Sequence, residues 1–233
     1  MNPLLHLVEP ERLLMTWQPS DENANPRTRR VVGELVREPG DGTIVFRYVE
    51  GTADYEAASA AGFQGFPAFR ETETRQGVLE TLVRRLPPRR REDFDDFLRQ
   101  HGLPVPFKLS DFALLGYTGA KLPSDGFALV PEFPPSAVPC DFLMEVAGTR
   151  YVPTVDMASL HVGDSVGVEL DSGNPVDADA LALTHRGQRI GYVNRAMKPA
   201  FQRWLASRSV ALTVARLNGK PQRPLVYLRV SIS

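Results

Sequence analysis

The chain of 233 residues holds one cysteine, Cys140, so no disulfide can close within it and nothing in its composition asks for an oxidising compartment. The histidines His6, His101, His161 and His185 stand apart, and no Cys/His pair has the spacing of a zinc site, so no metal is expected. No apolar run approaches the roughly 20 residues that cross a bilayer. The N-terminus meets Glu9 and Glu11 before any basic residue, unlike a secretory signal. A cytoplasmic protein without membrane contact is the expectation. Catalytic motifs are missing too. There is no Gly-x-Ser-x-Gly elbow. The run Gly116-Tyr-Thr-Gly119-Ala-Lys121-Leu122 is too short for a phosphate loop and has Leu122 where the magnesium-holding Ser or Thr would stand, so it reads as a turn. Asp93, Asp95 and Asp96, after Arg89-Arg90-Arg91, read as a solvated helix start rather than an acid–base pair. Neither a cofactor nor an enzymatic activity is expected.

The most informative absence is acidic: from Ala180 to Ser233 there is no Asp or Glu, against ten Lys and Arg. That is the charge footprint of a surface that meets phosphates. The nearest carboxylates, Asp177 and Asp179, lie in the turn that feeds this basic stretch. The overall charge of −1 therefore hides a split, −4 over residues 1–139 and +3 over 140–233, which favours two domains.

The junction is placed at Pro131-Glu-Phe-Pro-Pro-Ser-Ala-Val-Pro139, where four prolines in nine residues oppose both helix and central strand. Upstream, Arg12 to Trp17, Arg30 to Val36 and Thr43 to Glu50 predict strands. Val78, Leu79, Leu82, Val83 and Leu86 mark one helix stopped by Pro87-Pro88, and a second is predicted from about Arg90 to Gln100. Downstream, Phe142 to Val146, Val166 to Leu170, Ala180 to Thr184, Arg189 to Val193, Val210 to Arg216 and Val226 to Ile232 predict six strands. One helix intervenes, with Ala196, Ala200, Phe201, Trp204 and Leu205 on a shared face. Between the second and third of these strands, Asn174-Pro175-Val176-Asp177 is the chemistry of a side-chain-braced turn. Six short strands and one helix fit a small barrel.

Gly-Thr-Arg150-Tyr151, Gly-Asp164, Asn174-Pro-x-Asp177 and Gly-x-x-Ile-Gly191-Tyr192-Val-x-Arg195 together resemble the HIRAN domain, over roughly residues 140–233. That family is an OB-like β-barrel, found alone in bacterial proteins and at the N-terminus of some eukaryotic DNA-remodelling helicases. The resemblance implies an α+β chain in which a mixed α/β domain (1–135) precedes an OB-like barrel (136–233) with one or two helices. It also implies binding of single-stranded DNA at a 3′ end. An aromatic residue stacks on a base, basic side chains hold phosphates, and an acidic residue accepts a hydrogen bond from the 3′-hydroxyl. Carried over, Arg150 and Tyr151 form the basic–aromatic element, Asp177 is the hydroxyl acceptor and Arg195 is a further basic contact. Asn174 and Tyr192 complete the DNA-binding set. Val152 and Val176 depart from the pattern, each standing where an aromatic can occur. The plain alternatives are that Asp177 only braces its own turn, that Tyr151 and Tyr192 pack the barrel wall, and that Arg150 and Arg195 are solvated charges.

The first half, through Val32-Gly-Glu-Leu35, Phe46-Arg-Tyr48, Arg85-Leu-Pro-Pro-Arg-Arg-Arg-Glu and Asp111 to Gly119, is similar to the N-terminal subdomain of HipA-type kinases without the kinase body. This implies a protein partner for that half. The two functions to be weighed are a non-catalytic DNA-end-binding module in DNA metabolism or repair, and an interaction or toxin–antitoxin-related scaffold.

Overall fold

The computed structural model describes residues 2–19, 28–122, 124–152, 159–220 and 223–233, with the side chains of Arg150, Lys220 and Arg223 outside the description. Two compact units form: an N-terminal unit of Val8–His101 and Val105–Ser136, and a C-terminal unit of Met1–Leu7, Gly102–Pro104 and Ala137–Ser233. None of the helices is long and apolar enough to cross a membrane among the described residues.

The N-terminal unit is built on an antiparallel sheet of β1 (Arg12–Trp17), β2 (Arg30–Arg37), β3 (Ile44–Tyr48), β4 (Glu73–Thr74) and β5 (Phe127–Glu132), in the order β4-β3-β2-β1-β5. Alternation places Leu13 and Met15 of β1 inward, and with Leu35, Phe46 and Phe112 they are fully buried. Its helices are α1 (Ala53–Ala60), α2 (Val78–Val83), α3 (Phe94–Gln100) and α4 (Asp111–Thr118). Two of these differ from the sequence expectation. Helix α1 is alanine-rich and lacks an apolar stripe; what starts it is Thr52, whose hydroxyl accepts from the Tyr55 N–H. Helix α4 is buried all along Phe112 to Tyr117, so it carries no amphipathic period to read. It is capped by the Ser110 hydroxyl and ended by Gly119 at φ 72°. The Gly116–Leu122 stretch is thus a helix C-terminus that presents carbonyls, the wrong polarity for a phosphate cradle.

Pro131 is also a correction, because it lies within β5 opposite Leu13 rather than in a linker. It is tolerated there because β5 is an edge strand paired only with β1, where a missing N–H costs no ladder bond.

The C-terminal unit contains β6 (Cys140–Glu145), β7 (Ser165–Asp171), β8 (Ala180–His185), β9 (Gln188–Tyr192), β10 (Val210–Lys220) and β11 (Arg223–Ile232), antiparallel in the order β6-β11-β10-β7-β8-β9. Just past β6, Ala147 exchanges both backbone hydrogen bonds with Tyr192 of β9, at 2.9 and 2.8 Å, so the two outer strands of the sheet are tied together and it curls closed. Gly191 makes this approach possible. Its φ is 149°, and a Cβ there would sit 2.4 Å from Val146 Cγ1 and 2.5 Å from the Ala147 carbonyl oxygen. The helix α5 (Lys198–Ser207) packs Phe201 and Trp204 against Phe142 of β6, with ring centroids 6.5 and 5.8 Å apart. Leu205, expected on that face, is exposed.

The first residues of the chain complete this unit. The Leu5 and His6 amides donate to Asp141 Oδ2 at 3.0 and 3.1 Å, and the Asp141 N–H donates to the His6 carbonyl at 2.8 Å. Arg229 donates to the Pro3 carbonyl, and the Leu4 N–H to Gly102 at 2.7 Å. Burial pushes the Asp141 carboxyl up, yet hydrogen bonds from Ser231, Leu5 and His6, together with the Arg229 charge, outweigh it and hold the group below its ordinary 3.8. A buried carboxylate needs such donors, which is why residues distant in sequence are drawn onto β6.

Two outcomes follow. Asp141→Ala leaves two amides without their acceptor and is expected to cost about 2–3 kcal/mol, read from the urea midpoint. Because the folded-state value is depressed, this contribution is complete above 3.8 and fades as pH falls below it, so wild type and variant converge in acid. Gly191→Ala drives a methyl into Val146 and Ala147, and is expected to lower stability by about 2–3 kcal/mol in the same assay.

Candidate nucleic-acid interface

The β7–β8 connection folds by local side-chain hydrogen bonding. Asn174 Oδ1 accepts from the Val176 and Asp177 amides at 2.9 and 3.1 Å. Asp177 Oδ1 accepts from the Asp179 amide at 3.1 Å, and the Asp177 carbonyl from Ala180 at 3.0 Å. Asn174 therefore shapes the turn, and Asp177 braces it as the plain alternative expects.

Asp177 also reaches outward. Both of its oxygens accept from Lys198 Nζ at 2.7 Å, and Arg195 Nη1 stands 4.0 Å away. The hydrogen bond from Lys198 is the main reason that the Asp177 carboxyl titrates below its ordinary value. Lys198 is the first residue of α5, and Arg195 opens the 3-10 turn Arg195–Met197, whose Asn194 cap accepts from the Ala196 amide at 3.0 Å. Two cations are thereby set on one carboxylate.

A second cluster adjoins it. The Tyr192 hydroxyl donates to Asp171 Oδ2 at 2.9 Å, Arg189 Nη1 donates to the same oxygen at 3.0 Å, and the Arg189 guanidinium lies 5.4 Å from the Tyr192 ring centroid. The Asn174 N–H donates to the Asp171 carbonyl at 3.1 Å, which joins this cluster to the turn. Burial first, then the bond to Asp171, raises the Tyr192 phenol above its ordinary 10.0.

The third segment arrives through barrel closure. After Ala147, Gly148 at φ 72° lies against the Tyr192 ring, which an added Cβ would approach to 3.4 Å. The 3-10 turn Thr149–Tyr151 follows, held by Thr149 Oγ1 on the Pro224 carbonyl at 2.9 Å and by the Tyr151 amide on Gly148 at 2.9 Å. Tyr151 is 55% exposed, so it is not wall packing. The Arg150 side chain lies outside the described residues.

Asn174, Asp177, Tyr192 and Arg195 are thus joined in one hydrogen-bonded, ion-paired cluster, with the Tyr151 turn packed beside Tyr192. Asp171, Arg189 and Lys198 belong to it and were not singled out from sequence. Lys198 carried a signal, the spacing Arg195-x-x-Lys198 across one helical turn, whereas Asp171 and Arg189 gain meaning only from strand pairing. Of the two departures, Val152 is buried and Val176 is 76% exposed, so only the latter changes the surface. His161 and His185 both face Asp164, at 3.8 and 3.4 Å, but no group of three His, Cys, Asp or Glu able to hold a metal occurs among the described residues.

The edge of the closed antiparallel sheet thus carries an exposed aromatic and cations paired with carboxylates. The family model of the HIRAN domain matches residues 140–233, the stretch that holds β6 to β11. Among solved structures, the HIRAN domain of human HLTF is 18% identical, aligned over 40% of this chain and 74% of that one with a TM-score of 0.33. A protein from Lactobacillus plantarum is 23% identical over 39% of this chain and 92% of its own, with a TM-score of 0.32. No curated protein matches the chain.

Asp171→Asn weakens the acceptor of the Tyr192 hydroxyl and removes a repelling charge. The Tyr192 phenol is expected to titrate above 10.0 in the wild type and to move down in the variant, measured by NMR of ring-labelled tyrosine. An unchanged titration would contradict the assigned hydrogen bond.

Proposed function

We propose that the C-terminal unit binds single-stranded DNA at its 3′ end, and that the chain is a non-catalytic, cytoplasmic module of DNA metabolism or repair. The observation that carries this reading is the placement of the turn bearing exposed Tyr151 beside Tyr192, whose hydroxyl is held by Asp171 at the head of the connection on which Asp177 gathers Lys198 and Arg195. An exposed aromatic offers a stacking platform worth about 1–3 kcal/mol per base. Cations fixed by a carboxylate are held in place for a backbone phosphate, so little side-chain freedom remains to be lost on binding. The absence of acidic residues after Asp179 supports the same electrostatic preference.

A second reading concerns the N-terminal unit. Its resemblance to the N-terminal subdomain of HipA-type kinases suggests a protein partner. A cleft of about 540 Å³ lined by Arg85, Pro87, Pro88, Arg91, Asp93 and Phe97 offers mixed charged and apolar side chains to such a partner.

Fluorescence anisotropy with a linear and a circular strand of one sequence tests the leading reading. The linear strand is expected to bind more tightly by about tenfold, or 1.4 kcal/mol. Three to five phosphate contacts give a slope of log affinity against log salt of about −2 to −3.5. Tyr151→Ala is expected to weaken binding by the stacking energy, leaving that slope unchanged. A flat salt response would remove the basic surface as the contact.

A further inference from the structure

Resting on the reading that the C-terminal unit binds single-stranded DNA, we infer that Arg189 is a further phosphate contact, re-aimed by a bulge in β9 and held between Asp171 and the Tyr192 ring. In a regular strand, residues three apart point to opposite faces, so Arg189 and Tyr192 would be separated by the sheet. The pairing of β8 with β9 is not regular. Tyr192 lies opposite Ala182 and Gly191 opposite Leu183, but Thr184 faces Arg189, which leaves Ile190 as an extra residue in β9. Such a bulge shifts the phase of the side chains that follow it by one. Arg189 and Tyr192 thereby share a face, and Asp171, opposite Ala180 in the pairing of β7 with β8, shares it too.

Side-chain bonding completes the arrangement. Arg189 Nη1 and the Tyr192 hydroxyl both donate to Asp171 Oδ2, at 3.0 and 2.9 Å, and the guanidinium carbon lies 5.4 Å from the ring centroid. An arginine held in this way has little side-chain freedom left to lose on meeting an anion. The bond to Asp171 engages one N–H of the guanidinium, so a fork remains for phosphate oxygens. Exposure favours the cation over its partner: the Arg189 side chain is 47% exposed against 21% for Asp171, so a ligand meets the guanidinium before the carboxylate. Tyr192 also ties this cation to the rest of the site, because Gly148, which leads into the Thr149–Tyr151 turn, lies against the same ring. Tyr192 is in this role a positioning residue for Arg189.

The test is anisotropy on the full chain with one single-stranded DNA at several salt concentrations. Loss of one phosphate contact in Arg189→Gln is expected to make the slope of log affinity against log salt shallower by about 0.7. Arg189→Lys keeps the charge and is expected to keep the slope, which separates a lost contact from a damaged cluster. Arg186 supplies the reference, since it sits at the tip of the same hairpin with φ 50°, beside Gly187 at 75°. Arg186→Gln subtracts an equal charge outside the site and is expected to leave the slope unchanged. Strands carrying one uncharged methylphosphonate linkage each then locate the contact: at one linkage the replacement is expected to weaken binding by wild type and not by Arg189→Gln. An unchanged slope in Arg189→Gln, an equal fall in Arg186→Gln, or losses that add at every linkage would overturn the inference while leaving strand binding standing. A flat salt response in the wild type overturns the binding reading itself, and this inference with it.

Discussion

The pair of backbone hydrogen bonds between Ala147 and Tyr192 is the constraint on which the C-terminal unit turns. The two strands that end the sheet order, β6 and β9, would otherwise expose unpaired amides and carbonyls, an invitation to association with other chains. Tying them also carries the segment after β6 across to the end of β9, so that the Thr149–Tyr151 turn arrives beside Tyr192. Two positions without a Cβ permit the contact, Gly191 toward Val146 and Gly148 toward the Tyr192 ring. Fold closure and site assembly are one event.

Charge is organised differently in the two units. In the N-terminal unit arginines are matched by acids of their own sheet: Arg47 and Arg75 each bridge Glu38 and Glu73, and Arg12 meets both Glu34 and Glu132. Such exposed networks contribute little stability and leave little field beyond themselves. The C-terminal unit has no acids after Asp179 with which to do this, so the β7–β8 connection supplies the partners for the cations of β9 and α5. Asp171 takes Arg189, and Asp177 takes Lys198 and Arg195. Acids placed where bases converge fix where the donors of those bases point.

Much of this was legible because it is local. Period-two alternation marked the strands from Arg12 to Trp17 and from Phe142 onward, and Asn174-Pro-x-Asp177 declared its turn through side chains that bond their own backbone. What escaped was non-local or unpatterned. Helix α4 is buried on every side and therefore silent to periodicity, and Pro131 looked like a breaker because its place at a sheet edge is a property of the assembled sheet. The docking of Leu5 and His6 on Asp141 could not be read from either segment alone. Within the site, Tyr151, Asp177 and Arg195 were visible through family resemblance, whereas Lys198 shares no such motif and is defined by the carboxylate it holds.

That last point separates two roles that sequence reasoning had set against each other. Asp177 both braces its turn, through the Asp179 amide, and anchors Lys198, through the remaining capacity of the same two oxygens. Removing the Asp177 carboxylate therefore alters the path of the backbone and the position of the cations together, and any loss of binding has two causes. Lys198 makes no turn-bracing bond of its own with its ammonium among the contacts described, and its stem leaves from a helix start already set by Asn194 and Pro199. Substitution there changes the charge offered to a ligand while the Asn174–Asp179 hydrogen bonds persist, so the chemistry of the site is best isolated at the residue that the sequence pattern did not mark.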